Sequence, residues 1–417
     1  MIKGGYCNRV LRVNLTSGTW GVEPLPDESV LRKYVGCFGL GLWYLMRELP
    51  IGVGPLEPEN PLIFMNGPLT AARVPSPTNC TITTLNGDTG YTAGRSHGHG
   101  WFGPYLKMAG LDGIIVTGAS DRWVYLWIND GNIELRDASQ LLGKDTHETE
   151  DLVKQELGYP IECGKGISVA AIGPAGENLV AGAIIEQDKN HSFAHSGVGQ
   201  IMGSKRLKAI AVRGTGEVPV FDAKKLSPIA REWTQLTSTA GFSSFVRQMG
   251  AQGRDNYQMV DAFTGLSAKN LLANSLPGFG ARMEGAKMTA RPCYRCPVAC
   301  SYDAEAVSGP YKGYRATLSG GGEGIEGAAS IVGVSGKDMG ELWFLIDLDD
   351  RLGFEASSIG CSMAVAMEAY EKGLLTTTDT DGLELTWGNV KALETLVRRI
   401  AHREGKFAQM LADGPLA

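Results

Sequence analysis

Leu62-Ile63-Phe64-Met65-Asn66-Gly67-Pro68 reads as a fully apolar strand closed by a turn, and Ser168-Val169-Ala170-Ala171-Ile172-Gly173-Pro174 repeats the pattern further along. This faint internal echo, a strand followed by Gly-Pro once in each half of one region, points to two similar sheets. Working outward, Val10-Leu11-Arg12-Val13-Asn14-Leu15 is a short β run that ends at the turn Thr16-Ser17-Gly18. Gly113 to Gly118 and Trp123 to Ile128 read as further strands, and Asn129-Asp130-Gly131-Asn132 is a hairpin signal. Short helices are expected near Leu31–Leu49 and Glu148–Leu157. Beyond the linker Gly214–Asp222 the texture becomes helical. Leu393, Leu396, Val397, Ile400 and Ala401 follow the i, i+3, i+4, i+7, i+8 pattern, and Ser362 to Leu374 is a second helical run. The expected fold class is α+β: a β-rich domain over residues 1–212 with two related sheets, then a mainly helical domain over 222–417.

A chain of 417 residues is long enough for two or three domains. Its net charge of −6, without any run of Lys and Arg, argues against nucleic acid as a partner. No segment approaches the run of about 18 apolar residues that spans a bilayer. Met1-Ile2-Lys3-Gly4-Gly5 leads straight into a strand-like pattern rather than a signal peptide, so the expected location is the cytoplasm. Glycine is the compositional outlier, with 56 residues in short clusters between apolar runs. Such clusters allow positive φ and close approach of backbone to a ligand, as wrapping a large polar cofactor requires.

Of eight cysteines, Cys293, Cys296 and Cys300 fall within eight residues, in Arg291-Pro292-Cys293-Tyr294-Arg295-Cys296-Pro297-Val298-Ala299-Cys300. Three thiolates so close can converge on one metal centre. Three ligands with a fourth from elsewhere suit a [4Fe–4S] cube. Structural zinc is the main rival, although it usually comes as paired CxxC knuckles and no second pair exists here. Unligated core cysteines are the third reading. Cys361 is a candidate fourth ligand in principle, but it sits in an apolar helical run and reads as core.

Several runs together resemble the aldehyde:ferredoxin oxidoreductase family over nearly the whole chain. They are Arg9 to Gly18; Gly36-Cys37-Phe38-Gly39-Leu40-Gly41; Gly67-Pro68-Leu69-Thr70; Phe102-Gly103-Pro104; and Gly110 to Ile115. Ile172-Gly173-Pro174-Ala175-Gly176-Glu177-Asn178-Leu179 and Met202-Gly203-Ser204-Lys205-Arg206-Leu207-Lys208-Ala209-Ile210 are the most specific. The cysteine cluster falls where that family binds its [4Fe–4S] centre.

The resemblance implies tungsten or molybdenum held by two pterins, with Mg2+ at the pterin phosphates as a further implication. It implies an N-terminal β domain beneath the pterins, helical domains covering them, and electrons passed through the cluster to ferredoxin or another electron-transfer subunit, in anaerobic metabolism. The small substrate would be an aldehyde or an acyl compound, and homo-oligomers are expected. The implied cofactor-binding residues are Ser96, His97, Gly98, His99 and Gly100; Gly173, Ala175, Gly176 and Glu177; His195, Gly199, Gly203 and Lys205; and Asp350, Gly353 and Glu355 of an Asp-x-x-Gly motif. These loops are expected to line one cavity sized for two pterins. In Gly320-Gly321-Gly322-Glu323-Gly324-Ile325-Glu326-Gly327, Glu326 and then Glu323 are the candidates for an active-site general base. The chain departs from the family in three places. Ser96-His97-Gly98-His99-Gly100 replaces Ser-Asn-Ala-Gly-Gly, Ala194-His195 replaces Gly-Arg, and Phe38 stands where Arg is common. Four of the six histidines (His97, His99, His191, His195) lie in these two loops. The family's last helical domain, with a fourth cysteine, is not found, so a fragment or a second chain completing the site is expected. Relatives that reduce aromatic acyl thioesters, or a non-catalytic metal-stabilised fragment, are the alternative readings of function.

Overall fold

The computed structural model describes residues 2–189, 191–249, 267–276, 287–318, 329–335 and 339–414. Two compact units emerge: residues 1–237 with 293–297, and 238–292 with 298–417.

The first unit holds two six-stranded mixed sheets. The strands of the first are β1 (Arg9–Asn14), β2 (Thr19–Pro24), β3 (Leu62–Asn66), β4 (Cys80–Leu85), β5 (Ala93–Gly98) and β6 (Gly113–Thr117). The second contains β7 (Val124–Asn129), β8 (Asn132–Asp137), β9 (Ser168–Ala171), β10 (Ile185–Gln187), β11 (His191–Phe193) and β12 (Leu207–Arg213). The first sheet runs β2-β1-β6-β3-β4-β5, and the second, read from its other edge, β8-β7-β12-β9-β10-β11. Adding six to each label converts one into the other. The senses match as well: β1 is parallel to β6 and β7 to β12, and all other neighbours are antiparallel. The two strand–Gly-Pro stretches of the sequence are β3 and β9, equivalent positions in the two sheets.

Alternation along the strands shows why they read as continuously apolar. In β7, Val124, Leu126 and Ile128 enter the core between the sheets, while Tyr125 and Trp127 enter a core on the outer face. β6 divides likewise, with Ile114 and Val116 inward and Ile115 outward. These two strands are thus buried on both faces. Helices α1 (Glu28–Tyr34) and α2 (Cys37–Glu48) cover the outer face of the first sheet through Leu31, Leu40 and Leu45. Val153 of α4 (Thr146–Glu156) covers the second. Helix α3 (Phe102–Met108) precedes β6, and α6 (Val198–Ser204), preceded by the short α5 (Pro174–Glu177), precedes β12. Phe102, Leu106, Ile201 and Met202 enter the core between the sheets.

Where one helix was expected over Leu31–Leu49, the chain breaks at Val35, whose φ is 60°. A Cβ on Gly36 would stand 2.9 Å from the Asn66 carbonyl oxygen. The break therefore lets the chain pass close against the end of β3.

Helix α7 (Ala223–Thr239) follows the β region, the second unit starts at its last two residues, and α8 (Gly241–Met249) comes next. That unit contains α9 (Met339–Leu352), α10 (Ala356–Glu371), α11 (Val390–His402) and α12 (Lys406–Ala412). It also contains an unpredicted three-stranded antiparallel sheet, β13 (Lys287–Ala290), β14 (Tyr302–Glu305) and β15 (Arg315–Leu318). Helix α9 packs on β15 and α11. Leu393, Leu396, Val397, Ile400 and Ala401 are buried along α11 as their spacing requires. No helix among the described residues is long and apolar enough to cross a membrane.

Candidate functional site

Strands β5 and β11 occupy equivalent edges of the two sheets, and the fold brings those edges together. Arg95 N–H donates to Ser196 Oγ at 3.0 Å, Gly87 N–H to the Ser196 carbonyl at 2.9 Å, and Ser96 Oγ to the Ala194 carbonyl. The histidine-bearing loops are therefore neighbours because the two sheets share one topology.

Along β5 the side chains alternate. Arg95, His97 and His99 lie on the accessible face, whereas Ser96, Gly98 and Gly100 face inward. Arg95 sits over the Phe38 ring at 5.7 Å. His97 Nδ1 lies 2.8 Å from Thr81 Oγ1 on the paired strand. Crowding by protein atoms, with Arg95 and His99 as further positive groups, lowers the His97 pKa. The accessible face thus carries one guanidinium and two imidazoles, groups that hydrogen-bond a polar ring or a phosphate.

The inward glycines make room for protein. A Cβ on Gly98 would lie 2.3 Å from Gln187 Nε2 and 2.4 Å from the Phe193 ring. One on Gly100, where φ is +72°, would lie 3.1 Å from His191 Nδ1 and 3.3 Å from Asp188 Oδ2. Among the next group, a Cβ on Gly203 would meet the Gly176 carbonyl oxygen at 1.9 Å, and one on Gly199 the Ile184 carbonyl oxygen at 2.3 Å. Gly176 and Ala175 are themselves buried in α5, and Gly173 is its N-cap. Lys205 is fully buried and its Nζ donates to the carbonyls of Pro58 (2.9 Å) and Gly118 (3.4 Å). Glu177 pairs with Lys208 and accepts from Gly143 N–H at 2.9 Å. These groups serve internal contacts.

His195, Ser196 and Gly197 all have left-handed φ values, 66°, 65° and 58°. Consecutive residues in that region are held only where the surroundings over-determine them. Here the contacts of Ser196 to Arg95 and Gly87 do so, leaving His195 exposed.

The segment Cys293–Pro297 belongs to the first unit and docks beside the end of β5. Tyr294 N–H donates to the Gly100 carbonyl at 3.3 Å, and the Tyr294 and Trp101 rings meet edge-on at 5.3 Å. Ser76 N–H donates to the Arg295 carbonyl at 3.2 Å, and Ser76 Oγ to Cys296 Sγ at 3.3 Å. His191 Nε2 lies 2.9 Å from Cys293 Sγ. Cys296 N–H donates to the Cys293 carbonyl at 3.1 Å, closing the turn between the two cysteines. Cys300 lies in the second unit, partly buried, and Cys361, expected in the core, is exposed on α10. Among the described residues no group of three or more His, Cys, Asp or Glu is arranged around a metal position.

The Asp-x-x-Gly motif forms a junction between helices. Gly353, with φ 86°, ends α9, its N–H donating to the Asp349 carbonyl at 2.9 Å. Glu355 caps α10, accepting from Ser357 N–H (3.1 Å) and Ser358 N–H (2.7 Å). Burial, followed by repulsion from Asp347, pushes the Asp350 carboxyl up to about 8. Glu323 and Glu326 lie outside the described residues. A cavity of about 850 Å3 in the first unit is lined by Ala72, Arg73, Met108, Glu217, Tyr294 and Arg295, among others, and by none of the predicted loops. The space beside Gly98, Gly100, Gly176, Gly199 and Gly203 is taken up by neighbouring protein.

Residues that the sequence reading passed over include Ser76, which meets Cys296, and Asp188, which is buried and accepts from Trp101 N–H at 3.0 Å and Ser168 Oγ at 2.9 Å. Sequence distance hides both from a spacing argument.

Comparison with known proteins accords with this architecture. Residues 10–214 match the model "Aldehyde ferredoxin oxidoreductase, N-terminal domain" and 224–417 "Aldehyde ferredoxin oxidoreductase, domains 2 & 3". The tungsten-containing aldehyde ferredoxin oxidoreductase of Pyrococcus furiosus is 35% identical over 435 residues, and that of Pyrococcus horikoshii 34% over 439. Both alignments take in 98% of this chain and 66% of the relative, so the chain spans just under two thirds of their length. An aliphatic sulfonate oxidoreductase, WOR-like subunit, from Pyrococcus furiosus is 31% identical over 441 residues. Among solved structures, the active site complex BamBC of benzoyl coenzyme A reductase with 1,5-dienoyl-CoA superimposes with a TM-score of 0.85 at 27% identity, over 99% of this chain and 62% of that one. On the two family models, which between them account for almost every residue, the chain belongs to the aldehyde ferredoxin oxidoreductase family.

Proposed function

We propose that this chain is the pterin- and cluster-bearing part of a tungsten (or molybdenum) oxidoreductase that converts an aldehyde and water to a carboxylic acid, two protons and two electrons, with ferredoxin or another electron-transfer subunit as acceptor. The observation that carries the reading is the docking of Cys293–Pro297 against the β5 edge, beside the face that presents Arg95, His97 and His99. A relay must lie next to the centre it serves, and this segment lies next to the proposed cofactor floor.

The sulfur environment fits a metal cluster. Cys296 Sγ accepts from Ser76 Oγ and Cys293 Sγ is within hydrogen-bond distance of His191 Nε2. Hydrogen bonds directed at sulfur are weak for a thiol and strong for a thiolate, the form that binds iron. The metal held by pterin dithiolenes would supply the two-electron redox chemistry. Arg95, His97 and His99 would bind and orient the pterin rings and phosphates from below. Cys293, Cys296 and Cys300 would hold the [4Fe–4S] cluster with a fourth ligand from elsewhere. Glu326, or Glu323, would take the proton from the attacking water.

A second reading keeps these cofactors and reduces an aromatic acyl-CoA. It is favoured by the likeness to the benzoyl coenzyme A reductase complex and by histidines where the family has Asn and Arg. Metal analysis of the anaerobically purified chain, together with any subunit that co-purifies, tests both readings. Tungsten or molybdenum together with iron is expected, and zinc alone would defeat both in favour of a metal-stabilised fragment. Viologen-linked assays with aldehydes and with aryl-CoA thioesters then separate the first from the second.

A further inference from the structure

His191 is buried, at 6% exposure, on the edge strand β11. Its ring packs on Gly100, where a Cβ would stand 3.0 Å from Cγ and 3.1 Å from Nδ1, so a larger residue there would displace it. Nε2 reaches Cys293 Sγ at 2.9 Å. The other partner is fixed independently, through Tyr294 to Gly100, Ser76 to Arg295 and the Trp101–Tyr294 ring contact. Neither side of the contact is thus free to drift.

We propose that His191 is a positioning residue for the iron–sulfur cluster: it donates Nε2–H to the Cys293 thiolate and raises the cluster's reduction potential. This rests on the cluster assignment made above. A metal-bound thiolate carries no proton, so the imidazole must be the donor, which fixes the proton on Nε2. A donor aimed at a ligand sulfur favours the more negative, reduced cluster over the oxidised one, and hydrogen bonds to the sulfurs are a recognised determinant of cluster potential.

The test uses the iron-loaded chain, prepared anaerobically, with EPR-monitored potentiometry and iron content as readouts. Wild type, His191→Ala and His191→Gln are compared, with Cys163→Ser as a remote control. At one fixed potential the reduced-to-oxidised ratio of His191→Ala should fall about tenfold, a downward shift of about 59 mV for a one-electron couple. His191→Gln, which retains an N–H donor, should recover part of it. In wild type, Fe–Sγ stretching frequencies should move in D2O, and 15N-histidine labelling should give a coupling to the cluster that the Ala variant lacks. Loaded His191→Ala with an unchanged potential would overturn the inference while leaving the cluster reading intact. Where His191→Ala does not load, the wild-type isotope shift and 15N coupling decide, and their absence overturns it. Wild type that binds no iron would sink the cluster reading and this inference together.

Discussion

Gly203→Ala should weaken the contact between α5 and α6. The new methyl would lie 1.9 Å from the Gly176 carbonyl oxygen and 2.8 Å from its carbon, far inside the ~3.5–4.0 Å optimum for carbon contacts. Relief by moving α5 is blocked, since Gly176 is itself confined: a Cβ there would meet Ile172 Cβ at 2.8 Å and the Gly199 carbonyl oxygen at 3.1 Å. Two opposing terms set the size. Alanine is better than glycine inside a helix by about 1 kcal/mol. Overpacking a tight contact costs about 1–3 kcal/mol, and an overlap with backbone belongs at the upper end. The net is a destabilisation of roughly 2 kcal/mol, which at a urea m-value near 2 kcal/mol/M lowers the midpoint by about 1 M. Gly21→Ala is the control. Nothing lies within 4 Å of its new methyl, so a change under about 0.5 kcal/mol is expected. An unchanged midpoint for Gly203→Ala would refute the packing argument. Loss of tungsten or iron at that unchanged midpoint would show that the glycine serves ligand approach instead.

Three further outcomes are expected. Burial, and then repulsion from Glu150, lifts the Asp188 carboxyl from 3.8 to about 7, so its contribution to stability is present at low pH and is lost as pH rises through about 7. Thermal melts of Asp188→Asn between pH 4.5 and 8 should show a shallower decline than wild type, and an identical slope would count against the shift. Glu355→Ala should cost about 1 kcal/mol by uncapping α10, with Glu355→Asp recovering most of it in thermal denaturation. Cys293→Ser should lower iron content where Cys163→Ser does not, and equal loss in both would remove Cys293 from the cluster.

Legibility of the fold tracks how locally each feature is determined. Val124, Leu126 and Ile128 face one core while Tyr125 and Trp127 face another, so the strand is apolar throughout and visible in sequence. The hairpin at Asn129–Asn132 was equally plain, because its turn chemistry is local; Asp130 takes φ 50° there. By contrast, β13, β14 and β15 are four residues each, with lysine, aspartate, glutamate and arginine among them. Segments so short carry no usable period. The break at Val35–Gly36 falls between two short helices, and its cause, the approach to Asn66 and Gly67, comes from elsewhere in the chain.

The candidate site divides in the same way. Histidine clustering and cysteine spacing are properties of short stretches and could be read directly. Which partner each group meets could not. His191 and Cys293 are separated by 102 residues, and Ser76 and Cys296 by 220. What brings the histidines together is the repeated topology: an edge strand in each sheet, β5 and β11, with a left-handed turn at His195–Gly197 joining them through Ser196. Because the equivalent edges β5 and β11 meet in this chain, the loop at one lies beside its counterpart at the other. His97 and His99 on the accessible face of one edge and His191 buried on the other then fall to different tasks. The first two are exposed, as the proposed cofactor contact requires, and the third is turned to the cysteine segment through Cys293.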